Sequence, residues 1–350
     1  MISDSIEFFN VAEIRGGVLY RFPLHVCDAL QIPEFDAEGN FLRVHTGHRA
    51  SARALYGAEL RFVTEAKRLT VSLESDAPFS ATAYNGDFQS AYFSQGAGKI
   101  EWKLEWRAAL DGVAHTSENR FSKRVWRIAV SGDGNIRFGG IRTENGEAIR
   151  PPHTDEVPRF CLLAYGSSIS QGVGALYPPL NYLNTAAQLL GIDILNKALS
   201  GGCFCEKETV DYLCGETFDA VYLEPGTNIA DRPLHVIEER VGSLIDTFCT
   251  KFPEKKIFVA TPVCGLSDVS DTASDYRENF AKTRSVITAH AKKHANAVLL
   301  DGHEILKKHY YLSADLLHPS DFGHVRMGHD FAALIEPWLR EEIAARGKRS

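Results

Sequence analysis

The 350-residue sequence predicts two domains of different class, a β-sandwich over residues 1–154 and an α/β domain with a parallel sheet over 155–350. Two observations carry this expectation. Through the first half, apolar and polar side chains alternate in short runs, the period of strands with one buried face. After Pro158, unbroken apolar runs alternate with amphipathic stretches, the rhythm of fully buried parallel strands and the helices that cover them. The change of period follows a proline-containing acidic segment, Pro151 to Pro158, the kind of stretch in which domains join.

In the first half, strands are expected at Glu59–Val63, Arg68–Leu73, Phe79–Tyr84, Lys99–Trp106 and Arg124–Val130. Asn85-Gly86, Asp111-Gly112 and Asp133-Gly134 supply the turns between them. Trp102 and Trp106 are four apart, so they share one face of their strand, and sheet core is the expected place for both rather than a sugar-stacking surface. In the second half, apolar runs near 160–165, 192–196, 219–224, 256–261 and 297–301 read as five parallel strands. Helices are expected at Pro233–Thr250 and Asp275–Lys293. Ligands of such sheets bind at the carboxyl ends of the strands.

Composition removes several classes of function. A formal net charge of -7, with no basic run except the short Arg346-Gly-Lys-Arg349 tail, offers no footprint for nucleic acid. No basic segment followed by an apolar stretch opens the chain and no run of 18 apolar residues occurs, so a soluble, cytoplasmic protein without a membrane partner is expected. Seven scattered cysteines read as reduced thiols, and Cys203-Phe204-Cys205 lacks the paired spacing of a zinc site. The glycines at 166 and 172 precede no Lys-Ser or Lys-Thr pair, and Gly172-Val173-Gly174 lacks the third glycine of a dinucleotide fingerprint. No cofactor is expected.

Four segments carry chemistry. The run Phe160–Tyr165 ends in Gly166-Ser167-Ser168-Ile169-Ser170, and a strand that turns tightly at glycine into a helix start exposes a serine hydroxyl. Far downstream, Asp315-Leu316-Leu317-His318-Pro319 supplies an imidazole to take a serine proton and a carboxylate to orient it. Between them, Asn196–Gly202 and Glu224-Pro225-Gly226-Thr227-Asn228 place glycine and asparagine amides at strand ends, where donors face a developing oxyanion. Together the four point to acyl transfer.

These blocks, in this order, resemble the SGNH or GDSL-type hydrolase family, and the resemblance covers roughly residues 158–342. Carried over by position, it implies that Ser168 is the nucleophile, with Ser167 a rival better suited to capping the helix. It also implies that Gly201 (with Gly202 beside it) and Asn228 are oxyanion donors and that Asp315 and His318 are the orienting acid and base. Ser167 and Ile229 stand where the family usually has aspartates. The Gly-Ser-Ser-Ile first block and the β-rich first half are similar to a GDSL-like subgroup with an N-terminal domain. The resemblance implies a flavodoxin-like catalytic domain with a five-stranded parallel sheet behind a jelly-roll-like sandwich. It further implies a serine esterase that acts on short O-acyl esters, acetyl among them, of a carbohydrate or small metabolite through an acyl-enzyme, without metal or cofactor. An acyltransferase using the same residues and a carbohydrate-binding protein with an inactive hydrolase half are the alternatives.

Three further features have ordinary readings. His324 is a rival base, expected near the start of a final helix that Asp321 caps. Asp301-Gly302-His303 imitates an acid–histidine pair but reads as a strand end and a turn. Glu206 and Glu208 sit close together at a helix start, where acids favour the dipole, and read as capping residues rather than a glycosidase pair.

Overall fold

The computed structural model describes residues 1–350 except Asp4, Gln31, 36–40, 46–47, 115–118, Ala273 and 348–350, with backbone alone at 32–35, 41–45, 48–49 and 347. The chain forms two compact units. One comprises Met1–Leu24, Ala52–Arg159 and Gly191–Asp193; the other comprises His25–Ser51, Phe160–Leu190 and Ile194–Ser350.

The first unit is a sandwich of two antiparallel sheets. One sheet runs in the order Ile2–Ser3, Ile6–Phe9, Leu55–Thr64, Val125–Gly132, Phe79–Asn85 and Phe88–Gln95, with Ile149–Arg150 paired to the third of these. The other runs Gly98–Glu105, Arg68–Ser75, Ile136–Thr143, Val18–Tyr20 and Glu13–Arg15. Alternation puts Leu60 and Phe62 from one sheet and Leu69, Val71 and Leu73 from the other into a common core with Phe8, Trp102 and Trp126.

All five expected strands form, but the three turn signals do different things. Asn85-Gly86 closes a hairpin, with Gly86 at φ +59°. Asp133-Gly134 carries the chain from one sheet to the other, and a Cβ at Gly134 would meet Ala77 Cβ at 2.7 Å. Asp111-Gly112 ends a short 3₁₀ helix, Ala108–Gly112. Its carboxylate accepts a hydrogen bond from Trp106 Nε1 at 2.9 Å. Trp106 lies just past its strand and packs edge-on to Trp126, while Trp102 packs edge-on to Phe93, so both tryptophans join the sandwich core.

In the second unit, the expected runs become strands β1 (Cys161–Gly166), β2 (Asp193–Asn196), β3 (Ala220–Glu224), β4 (Ile257–Ala260) and β5 (Ala297–Leu300). They form a parallel sheet in the order 2-1-3-4-5, the flavodoxin-like order. All five residues of β3 and all four of β4 are buried, as covered parallel strands require. Helices Tyr182–Leu190 and Asp321–Gly347 pack together, as do Ser243–Lys251 and Ser274–Ala291. The helix expected over 233–250 forms without a break from Leu234 to Lys251, widened by a π-turn at Glu238–Gly242 between Leu234–Ile237 and Ser243–Lys251. Gly242 meets the His290 ring so closely that no side chain fits there. Among the described residues, no helix is long and apolar enough to cross a membrane.

Candidate active site

The order 2-1-3-4-5 reverses direction between β1 and β3, and that is where such sheets open a crevice. The chain leaves β1 at Gly166 and enters the one-turn helix Ser168–Gln171. Ser167 caps this helix, its hydroxyl accepting the Ile169 amide at 3.2 Å, so the capping role falls on Ser167 and leaves the Ser168 hydroxyl uncommitted to the backbone. The helix ends at Gly172, φ +114°, where the chain needs a residue without a Cβ.

The Ser168 hydroxyl lies 2.8 Å from His318 Nε2. The opposite ring nitrogen, Nδ1, is 2.7 Å from Asp315 Oδ2. A carboxylate facing Nδ1 fixes the proton there, which makes Nε2 the acceptor of the serine proton. Asp315 also shapes the turn that carries His318: its Oδ1 accepts the Leu317 and His318 amides, both at 2.9 Å, and the Ser313 hydroxyl at 2.9 Å. Burial alone pushes the Asp315 carboxyl up, but these donors and the imidazole outweigh it and hold the group well below the usual carboxylate range. Gly174 passes so close to the Pro319 carbonyl that a Cβ has no room, which fixes this turn against the chain after Ser168.

The two middle segments are tied to the turn around Ser168: the Leu199 amide donates to Gly166 O at 2.9 Å, and the Thr227 hydroxyl donates at 3.0 Å to Glu224, which also accepts from Ser167. Gly201 follows β2 at φ +61° with no atom within 4 Å of where a Cβ would sit, so its conformation rather than crowding calls for glycine. The neighbouring Gly202 amide is committed to Leu199 O at 3.0 Å. Asn228 follows β3, and its Oδ1 accepts the Cys203 amide at 3.1 Å, which leaves its amide nitrogen as the end available to donate. A cavity of 90 Å³ is lined by Ile169, Thr227 and Leu317, the chain neighbours of Ser168, Asn228 and His318, together with Asp315, Val263 and Phe280 among others.

Two polar residues that the sequence did not single out complete the arrangement. Glu224, the last residue of β3, is fully buried and accepts four hydrogen bonds from the turns around Ser168 and Asn228. Gln171 Oε1 accepts the Ser200 amide at 2.8 Å and the Ser51 hydroxyl at 2.9 Å. The only sequence signal for Glu224 is an acid closing an otherwise apolar strand.

The rival residues lie elsewhere. His324 is fully buried in the final helix, stacked on Tyr182, with Nε2 3.0 Å from Val173 O. Burial pulls its pKa below the ordinary value. Ser320, not Asp321, caps that helix by accepting the Gly323 amide at 3.2 Å, while Asp321 accepts the Leu176 amide. Asp301 caps the turn Gly302–Ile305, and His303 Nε2 faces Asp268 at 3.0 Å. The capping expectation for Glu206 is overturned. It precedes helix Lys207–Leu213 but makes no cap bond; both carboxyl oxygens are buried and accept nothing from another residue. Burial pushes its carboxyl up to about 7.

A model of the GDSL-like lipase/acylhydrolase family matches residues 161–336. No curated protein matches the chain. Solved structures of the same fold include a salicylyl-acyltransferase from a tetracycline biosynthetic pathway, 17% identical over 99% of this chain and 96% of that one, TM-score 0.71. A family two carbohydrate esterase from Clostridium thermocellum in complex with cellohexaose is 15% identical over 82% and 94%, TM-score 0.59. An acetyl xylan esterase from the rumen bacterium Butyrivibrio proteoclasticus is 12% identical over 97% and 96%, TM-score 0.55. With the family model covering half of its length, the chain belongs to the GDSL-like lipase/acylhydrolase family and is an enzyme of the ester-hydrolase class.

Proposed function

We propose that this enzyme hydrolyses short O-acyl esters of a carbohydrate or a small hydroxylated metabolite, with Ser168 as nucleophile, His318 as general base and acid, and Asp315 as its orienting carboxylate. The observation that carries the reading is the unbroken chain from Ser168 Oγ to His318 Nε2 at 2.8 Å and from His318 Nδ1 to Asp315 Oδ2 at 2.7 Å. Ser168 attacks the acyl carbonyl as His318 removes its proton. The resulting oxyanion rests among the Ser168 and Gly201 amides and the Asn228 side chain. His318 then protonates the departing alkoxide, leaving an acyl-Ser168, and the same imidazole activates the water that frees the acid.

The 90 Å³ cavity beside Ile169 and Thr227 favours a short acyl group, since sites for larger ligands span roughly 300–1,000 Å³. Two proteins of similar fold, a carbohydrate esterase in complex with cellohexaose and an acetyl xylan esterase, support an acylated sugar as the substrate class. A second reading, transfer of the acyl group to an alcohol other than water, is favoured by the similar fold of the salicylyl-acyltransferase.

One experiment separates them. The protein is incubated with p-nitrophenyl acetate and with acetylated xylo-oligosaccharides, with and without an added acceptor alcohol. Acetate release in water that Ser168→Ala abolishes is the expected result. Release that requires the acceptor establishes the transferase instead, and acetate release unchanged in Ser168→Ala removes the triad reading.

A further inference from the structure

Glu224 is a buried carboxylate at the centre of the site that neither attacks nor moves a proton in the reaction just described. Its Oε2 accepts the Ser167 amide at 2.9 Å, the Ser167 hydroxyl at 2.7 Å and the Ser170 hydroxyl at 3.0 Å. Its Oε1 accepts the Thr227 hydroxyl at 3.0 Å. Three of these donors flank Ser168, and the fourth is the residue before Asn228. The carboxylate lies directly beneath the turn: a Cβ on Gly166 would stand 2.7 Å from Glu224 Oε2. We propose that Glu224 is the positioning residue that ties the Ser168 turn to the Asn228 loop, setting the distance between the nucleophile and its oxyanion donor.

The inference rests on Ser168 as nucleophile and Asn228 as oxyanion donor. Its physical basis is that attack and oxyanion stabilisation need both groups placed to within a fraction of an ångström, and they arise on separate strands, β1 and β3. The strand pairing holds Gly166 opposite Glu224, but the turns beyond the sheet need their own tether. A carboxylate suits this better than an amide. It presents acceptors alone, whereas a glutamine would turn an NH₂ toward one of the donors. Bonds to a charged acceptor are also stronger than neutral ones. Burial pushes the Glu224 carboxyl up, and the Ser167, Ser170 and Thr227 donors oppose that shift by favouring the ionised form. The Ser170 hydroxyl continues the tether inward to the Tyr182 hydroxyl at 2.6 Å, which lies 3.2 Å from the Tyr222 hydroxyl, so the anchor reaches β3 a second time through the core.

The test is a kinetic comparison per functional site. Diethyl p-nitrophenyl phosphate, which modifies a reactive serine, counts active enzyme in wild type, Glu224→Ala, Glu224→Gln, Thr227→Val and Ser170→Ala, and kcat and KM for p-nitrophenyl acetate are then expressed per titrated serine. Glu224→Ala should lower kcat on the order of 10²-fold with little change in KM, because displacement of a reacting group by about an ångström costs that much. Glu224→Gln should recover part of the loss. Thr227→Val should lower kcat in the wild-type background and do nothing further in Glu224→Ala, the mark of a shared interaction. A role in folding alone would lower the titrated fraction and leave kcat per site at the wild-type value, which overturns the proposal. If Glu224→Ala does not fold, wild-type kcat per site in both Thr227→Val and Ser170→Ala overturns it equally. Ser168→Ala separates the two failures, since turnover that survives in it discredits the nucleophile and not the tether.

Discussion

Asp315 and His318 face each other across a four-residue turn in which one carboxylate performs two tasks: Oδ2 meets Nδ1 of the imidazole at 2.7 Å, and Oδ1 accepts the backbone amides of the same histidine and of Leu317. The acid therefore sets both the tautomer of the base and the path of the chain that presents it. Asp315→Asn should lower kcat by up to ~10⁴, because the amide favours the wrong tautomer and cannot stabilise the imidazolium. Steady-state kinetics with circular dichroism to confirm folding will check this; a loss below tenfold would mean that Asp315 serves the turn alone.

Ser168→Ala should lower kcat by on the order of 10³ or more with the fold intact, since the covalent route disappears. Ser167→Ala should behave differently. It removes a helix cap and a donor to Glu224, so about 1 kcal/mol of stability should be lost, with a smaller fall in rate. Thermal melts and p-nitrophenyl acetate turnover on the two variants distinguish them, and the assignment fails if the two rate losses are alike.

Asn228→Ala should cost roughly 10²–10³ in kcat with little change in KM, the signature of a donor that acts on the transition state. Its Oδ1 also holds the Cys203 amide, so Asn228→Asp is the sharper variant. It keeps that acceptor and removes the NH₂ donor. Turnover in Asn228→Asp close to wild type would show that Asn228 only fastens the loop after β2.

Burial also separates the two histidines nearest the site. His324 is enclosed against Tyr182 and commits Nε2 to the Val173 carbonyl. His324→Gln should retain kcat within a few fold while lowering the melting temperature, because it disturbs a packed aromatic stack. His318→Gln should be inactive at unchanged stability. The reverse pattern would exchange their roles.

The sheet was legible because buried parallel strands leave unbroken apolar runs, and all five runs became strands within a residue or two of their expected bounds. The four blocks were legible because glycine turns and the Asp315–His318 spacing are local. Glu224 was not. Its meaning depends on Ser167 and Ser170, which meet it only when β1 and β3 pair, and a single acid ending an apolar run says nothing of that. The excursion of His25–Ser51 into the second unit has no mark in composition or period. Ser320 and Asp321 can both cap a helix, and only the geometry of the turn decides between neighbours. Glu206 was misread for a related reason. Acids at a helix start usually face solvent and the dipole, whereas the chain before this one, with Cys205 at φ +56°, carries the side chain inward.

That inward turn gives a pH-dependent stability with a definite sign. Burial raises the Glu206 carboxyl from its ordinary 4.5 to about 7, the nearby Arg240 charge lowering it somewhat and Glu208 raising it. The folded protein therefore holds this proton more tightly than the unfolded chain does. The benefit is complete below the ordinary carboxyl range, and it is lost as pH rises toward about 7. Above that, folding must bury an ionised group to which no other residue donates a hydrogen bond. Glu206→Gln removes the titration and keeps the shape. It should stabilise the protein by on the order of 1–3 kcal/mol at pH 8, and the advantage over wild type should shrink toward zero at pH 5. Urea unfolding of both proteins at pH 5, 6, 7 and 8 measures the difference directly, with contributions from other titrating groups cancelling between them. A stability difference that is flat across this range, or that grows on acidification, would mean that Glu206 is ionised and solvated in the folded protein.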